Sequence, residues 1–192
     1  MSWLQKISGN FYGDPSPKGL NLYEPIHTGD YGAIYQSKDF PHVFLGSSNT
    51  EDIKEAERIA GKPICFRVDV AALDNNELGK ADLSLHLPER KMWDQRSEDE
   101  VQSVFDAAAN KLAEIILEKN CPIYVHCFAG INRSVAVLAA ALAKLTGKKA
   151  FEVLREIRSQ RQVSPADNYL YLLARYNDSK EDPEQVRQLL EV

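Results

Sequence analysis

The nine residues His126-Cys127-Phe128-Ala129-Gly130-Ile131-Asn132-Arg133-Ser134 decide how the rest of the chain is read. A cysteine and an arginine six positions later bracket a short loop with glycine at its middle. The run before it, Pro122-Ile123-Tyr124-Val125, reads as a buried strand. The run after it, Val135 to Leu145, is apolar and alanine-rich and predicts a helix. A strand, a loop and a helix in that order aim successive backbone N–H groups into the loop, and the helix dipole adds partial positive charge there. The stretch therefore predicts an anion cradle with a thiol in its floor.

The residue types suit phosphoryl transfer. The thiolate, not the thiol, is the nucleophile. A helix N-terminus, converging N–H groups and a guanidinium each favour the thiolate of Cys127. Ser134 can hydrogen-bond the sulfur and help it leave again. Arg133 supplies a planar fork that matches two equatorial phosphoryl oxygens. Those oxygens carry charge as the bond breaks, so the same contact stabilises the transition state. Gly130 lets the loop turn with a positive φ, and a ring bond from His126 would fix the cysteine backbone. Phe128, Ala129, Ile131 and Asn132 complete the phosphate-binding loop. The bland alternative is a core cysteine beside a structural turn. Fixing His, Cys, Gly, Arg and Ser at one spacing has a chance on the order of one in ten million per position, which argues against it.

These residues resemble the cysteine-dependent protein phosphatases, whose loop reads His-Cys-x5-Arg-Ser/Thr, and within that superfamily the dual-specificity group. The likeness runs over about residues 39–176 and includes Leu45-Gly46-Ser47 at the end of an early strand. It implies hydrolysis of phosphotyrosine and phosphoserine/phosphothreonine proteins in two steps. Cys127 takes the phosphoryl group as a cysteinyl-phosphate, and water then releases it, with no cofactor and no metal. The resemblance also implies one carboxyl group that gives and takes protons, on a loop some thirty residues before the cysteine. Asp94 lies 33 residues before Cys127, in the connection that precedes a capping box formed by Ser97 and Glu100. Glu98 and Asp99 compete, but they fall in the first turn of the next helix and serve its dipole, and Glu89 is a weaker candidate. Where the family often has Pro-Asn, this chain has Pro165-Ala166, so that asparagine contact is absent or passes to Asn168.

Other readings stay open. Phosphoinositide phosphatases of the superfamily place lysines inside the loop, and this loop has none. The RNA 5′-triphosphatase branch shares asparagine before the arginine but usually has threonine where this chain has Ser134. A non-catalytic phosphate-binding adaptor is the alternative outside enzymology. Arg155, Arg158 and Arg161 read as solvated helix charges, one of which is placed to approach a phosphopeptide.

The 192 residues are 44% hydrophobic, which suits one compact domain over residues 1–178 with a polar tail over 179–192. In that tail Asp182 and Pro183 allow a short helix to Leu190. A formal net charge of −5 opposes adhesion to nucleic acid or membrane, leaving a phosphorylated protein as the expected partner. Three cysteines and no apolar leader suggest a reducing, cytoplasmic setting, the nucleus included. Cys121 and Cys127 bracket a strand about 20 Å long and cannot pair. Cys65 is expected to be a buried apolar cysteine, unless its strand neighbours that of Cys127 and the two form a protective disulfide. The expected elements are strands at about 32–36, 41–48, 64–70 and 81–86 and helices at about 51–60, 98–118, 134–146, 149–159 and 165–176. Their alternation predicts an α/β fold, a mainly parallel sheet of four to five strands flanked by helices, with the site at the carboxyl ends of the strands.

Overall fold

A computed structural model describes residues 33–71, 78–87 and 97–176. In chain order the elements are β1 (Tyr35–Gln36), β2 (Val43–Gly46), α1 (Thr50–Ala60), β3 (Phe66–Asp69), β4 (Leu83–Ser84), α2 (Glu98–Glu118), β5 (Ile123–His126), α3 (Arg133–Thr146), α4 (Ala150–Gln160) and α5 (Asp167–Arg175). The sheet runs β1-β2-β5-β3-β4. Only β1 is antiparallel to its neighbour, and β5 lies at the centre with β2 and β3 parallel on either side. The predicted mainly parallel α/β architecture is the one observed.

Side chains alternate across this sheet, and both faces are covered. Val43 and Leu45 of β2, Val68 of β3, and Ile123 and Val125 of β5 point into the larger core, which α2 to α5 complete. Phe44 and Tyr124 point the other way and pack with Ala56 of α1 and with Ile34, just before β1. Burial on two faces is why β2 and β5 read as unbroken apolar runs. In the larger layer α3 packs against α2, α4 and α5. Every residue from Ser134 to Ala143 is buried, and five of them are alanines, small enough to let three helices approach.

Local signals account for the helix ends. Asn49 caps α1 by accepting from the Asp52 N–H, and Gly61 ends it with φ 66°. Ser97 and Glu100 form the reciprocal capping box of α2. Gly147 ends α3 in the left-handed region, with φ 70°. The edge strands are shorter than predicted, at two residues each. His86 turns to a φ of 52° after β4, where sequence alternation alone extended the strand. The link over 74–76, the connection carrying Glu89 and Asp94, and the tail over 179–192 lie outside the described residues.

The cysteines depart from expectation. The strands of Cys65 and Cys127 are indeed neighbours, but they run parallel, with Phe66 beside Ile123 and Asp69 beside His126. Cys65 therefore lies at the opposite end of the sheet from Cys127. It pairs instead with Cys121 in a disulfide, at a Cα–Cα separation of 6.0 Å, and Cys127 is the free cysteine. Cys65 is also exposed rather than buried. With two of the three cysteines paired, the odd count carries no argument about redox compartment.

The disulfide closes a loop with a sequence separation of 56. Loop-closure entropy for that length stabilises the fold by about 4 kcal/mol. Denatured, unreduced protein should show one reactive thiol per chain, and Cys65→Ser should lower the urea midpoint. Three reactive thiols, or an unchanged midpoint, would contradict this.

Candidate active site

Cys127 follows directly on the central strand, at the carboxyl end of the sheet, and is 3% exposed. Buried Ser134, in the first turn of α3, donates its hydroxyl to the Cys127 sulfur at 3.2 Å. The loop between them turns its carbonyls outward one after another. His126 Nδ1 lies 3.1 Å from the Cys127 carbonyl, a bond that needs the Nδ1-protonated tautomer. The Phe128 carbonyl accepts from both the N–H and the hydroxyl of Ser48, at 2.8 and 3.0 Å. Arg161 donates from Nη2 to the Ala129 carbonyl at 3.0 Å and from Nε to the Gly130 carbonyl at 3.1 Å. The Ile131 carbonyl accepts from the Ser164 N–H at 2.9 Å, and that of Asn132 from the Ala136 N–H at 3.1 Å.

Gly130 has a φ of 66°, as the sequence predicts, and a Cβ there would collide with the Gly46 carbonyl. The floor beneath it is fixed in turn. Tyr124 of β5 donates its hydroxyl to the Ser47 carbonyl at 2.7 Å, and Asp52 accepts the Ser47 N–H at 2.7 Å. Burial raises the Tyr124 pKa, so the hydroxyl keeps its proton for that bond.

Asn132 occupies the N-cap position of α3 but makes no side-chain cap. The first N–H groups of the helix are thus not taken by that side chain, and helix N-termini of this kind suit anions. Asn132 Oδ1 instead accepts the Ala166 N–H at 2.9 Å. The contact between the loop and the Pro165-Ala166 segment therefore exists, made from the loop side rather than by Asn168.

Arg133 donates from Nη1 to the Leu87 carbonyl at 3.4 Å. Leu87 is the last described residue before the connection that carries Glu89 and Asp94. That connection therefore departs from beside the loop arginine. The competing acids open α2, and Asp99 pairs with Arg175 at 3.3 Å. Phe128 is 68% exposed, an aromatic ring at the rim next to the thiol. Among the described residues no group of three or more His, Cys, Asp or Glu could hold a metal ion.

The three arginines after the loop helix have three different fates. Arg155 is exposed, and Arg158 is half-buried. The Arg161 side chain has no exposed surface, and its Nη2 lies 3.4 Å from Asp52, itself buried. Arg161 is therefore neither a solvated charge nor placed to meet a phosphopeptide. Asp52 and Ser48 were not singled out from the sequence. Nothing distinguishes Asp52 there from an acid that serves a helix dipole.

The protein belongs to the family described as dual specificity phosphatase, catalytic domain, which matches residues 43–179, within the cysteine-dependent phosphatase superfamily. Tyrosine-protein phosphatase yvh1 of Schizosaccharomyces pombe is 36% identical over 97 residues, covering 48% of this chain and 29% of that protein. Human dual specificity protein phosphatase 9 is 27% identical over 161 residues, covering 81% of this chain and 37% of that protein. The chain thus spans about a third of the length of these relatives. In fold it is similar to the crystal structure of human DUSP28, with a TM-score of 0.57 at 18% identity, covering 79% of this chain and 96% of that one.

Two outcomes follow from this geometry. Gly130→Ala forces a side chain into the Gly46 carbonyl at a left-handed φ. It should weaken inhibition by tungstate, a tetrahedral oxyanion, at least tenfold, and unchanged inhibition would contradict the packing. His126 is held below its ordinary pKa, chiefly by burial, with the Asp69 charge opposing. The unfolded chain then takes up the proton first, so stability falls as pH drops below about 6.5. The melting temperature should decline over that range, and His126→Gln should flatten the decline. Equal slopes for the two proteins would contradict it.

Proposed function

We propose that this domain hydrolyses phosphate monoesters on phosphotyrosine and phosphoserine/phosphothreonine proteins through a cysteinyl-phosphate on Cys127. The observation that carries the reading is a free thiol beneath an outward-facing row of carbonyls, with a serine hydroxyl 3.2 Å from its sulfur. Family membership supports phosphate ester chemistry, and the likeness to a tyrosine-protein phosphatase and a dual specificity protein phosphatase supports a phosphoprotein substrate.

In the first step the Cys127 sulfur attacks phosphorus as the bond to the leaving oxygen breaks. Asp94 gives that oxygen its proton. Inward N–H groups and the Arg133 fork take up the charge on the equatorial oxygens. In the second step water attacks phosphorus, Asp94 accepts the water proton, and the sulfur–phosphorus bond breaks. The Ser134 hydroxyl, bonded to Sγ, stabilises the departing thiolate. His126, through the Cys127 carbonyl, fixes the peptide at the nucleophile. Among the described residues no helix is long and apolar enough to cross a membrane.

Phosphopeptide substrates are favoured over lipid or RNA because the loop carries no lysine beside Arg133 to hold additional phosphates. The exposed Phe128 ring offers an apolar rim suited to a peptide.

A substrate panel tests this reading: p-nitrophenyl phosphate, phosphopeptides, a phosphoinositide and a triphosphate-ended RNA, with wild type and Cys127→Ser. Turnover of phosphopeptides, lost in Cys127→Ser, is the expected result. Hydrolysis confined to RNA or lipid would replace the substrate class, and oxyanion binding without turnover of anything would leave an adaptor. Acid quenching during turnover should trap phosphate on Cys127, and persistent activity with no such adduct would contradict the mechanism. Asp94→Asn should lower kcat on aryl phosphates by about 10²–10⁴ and flatten the alkaline limb of its pH profile. Wild-type turnover would remove Asp94 from the role.

A further inference from the structure

Arg161 sits 28 residues beyond Arg133 in sequence and directly behind the loop that Arg133 closes. Burying an ion pair rarely stabilises a fold more than apolar residues of the same volume would. A guanidinium retained there calls for a task that only its donors can perform. Arg161 spends its fork on three carbonyls: Ala129 through Nη2, Gly130 through Nε, and Ala33 through Nη1. Asp52 lies 3.4 Å from the same Nη2 and also accepts the Ser47 N–H.

In a trans peptide the carbonyl of one residue and the N–H of the next point in opposite directions. Drawing the Ala129 and Gly130 carbonyls toward Arg161 therefore turns the N–H groups of Gly130 and Ile131 the other way, into the cradle. The other outward carbonyls are met by the His126 ring, by Ser48, by the Ser164 N–H and by the α3 ladder. Those of Ala129 and Gly130 alone among them share one side chain, the Arg161 fork.

Resting on the phosphatase reading, we infer that Arg161, clamped by Asp52, is a positioning residue that holds the Gly130 and Ile131 N–H groups toward the phosphoryl oxygens. It touches neither substrate nor sulfur. It acts through geometry, because Asp52 offsets its charge. A lysine in its place keeps the charge but is a single point donor and cannot serve Nε and Nη2 partners together.

The test compares wild type, Arg161→Lys, and the double variant Arg161→Met with Asp52→Asn. The double variant removes both buried charges at similar volume, a change that folds tolerate. Active sites are titrated with iodoacetate, so that rates refer to folded protein. For p-nitrophenyl phosphate, each variant should lose at least tenfold in kcat per titrated site, and the Ki of tungstate should rise at least tenfold. A merely structural arginine would lower the melting temperature and the titrated fraction but leave kcat, KM and Ki per site unchanged. That pattern in either variant overturns the inference. Wild type that neither turns over the aryl phosphate nor binds tungstate would instead overturn the phosphatase reading beneath it.

Discussion

The planarity of the peptide bond governs this site. A loop cannot present consecutive N–H groups to an anion unless its carbonyls find partners on the opposite side. In a buried position each unmet carbonyl costs roughly 1–3 kcal/mol, so the partners have to be built into the fold. Every carbonyl from Cys127 to Asn132 has one, drawn from five residues in four parts of the chain. The cradle is in this sense the inner surface of the domain's tertiary structure rather than a property of nine residues.

The sheet explains why those partners converge. β5 is central, so the residues that follow it emerge between the ends of β2 and β3. The end of β2 and the turn after it bring Gly46, Ser47 and Ser48 beneath the loop, close enough that Gly130 has no room for a side chain. Tyr124 and Asp52 hold that turn from below and from the side. The helices complete the enclosure: α3 sets the loop's exit, and the segment between α4 and α5 supplies Arg161, Ser164 and the Ala166 N–H. Stability and chemistry share these contacts, so a substitution behind the loop acts on both.

Much of this was legible in the residues. The glycine ends of α1 and α3 and the capping box of α2 are local signals, and those helices fall within a residue of their predicted bounds. The loop was legible because its chemistry is concentrated in one stretch. What escaped depends on chain segments that meet only after folding. Arg161 shares its residue type and spacing with Arg155 and Arg158, and only the position of α4 against the loop separates a buried fork from a surface charge. Cys65 and Cys121 become neighbours only through the parallel register of β3 with β5. The short edge strand β4 ends where His86 adopts a positive φ, which side-chain alternation does not encode.

The most direct test concerns the inward N–H groups themselves. Cys127→Ser protein labelled with ¹⁵N, titrated with tungstate and followed by amide chemical shifts, reports which backbone groups meet an oxyanion. The account predicts that the largest saturable shifts belong to the amides of residues 128–134, those of Gly130 and Ile131 among them. Tungstate that binds the protein while those amides stay unmoved would contradict it.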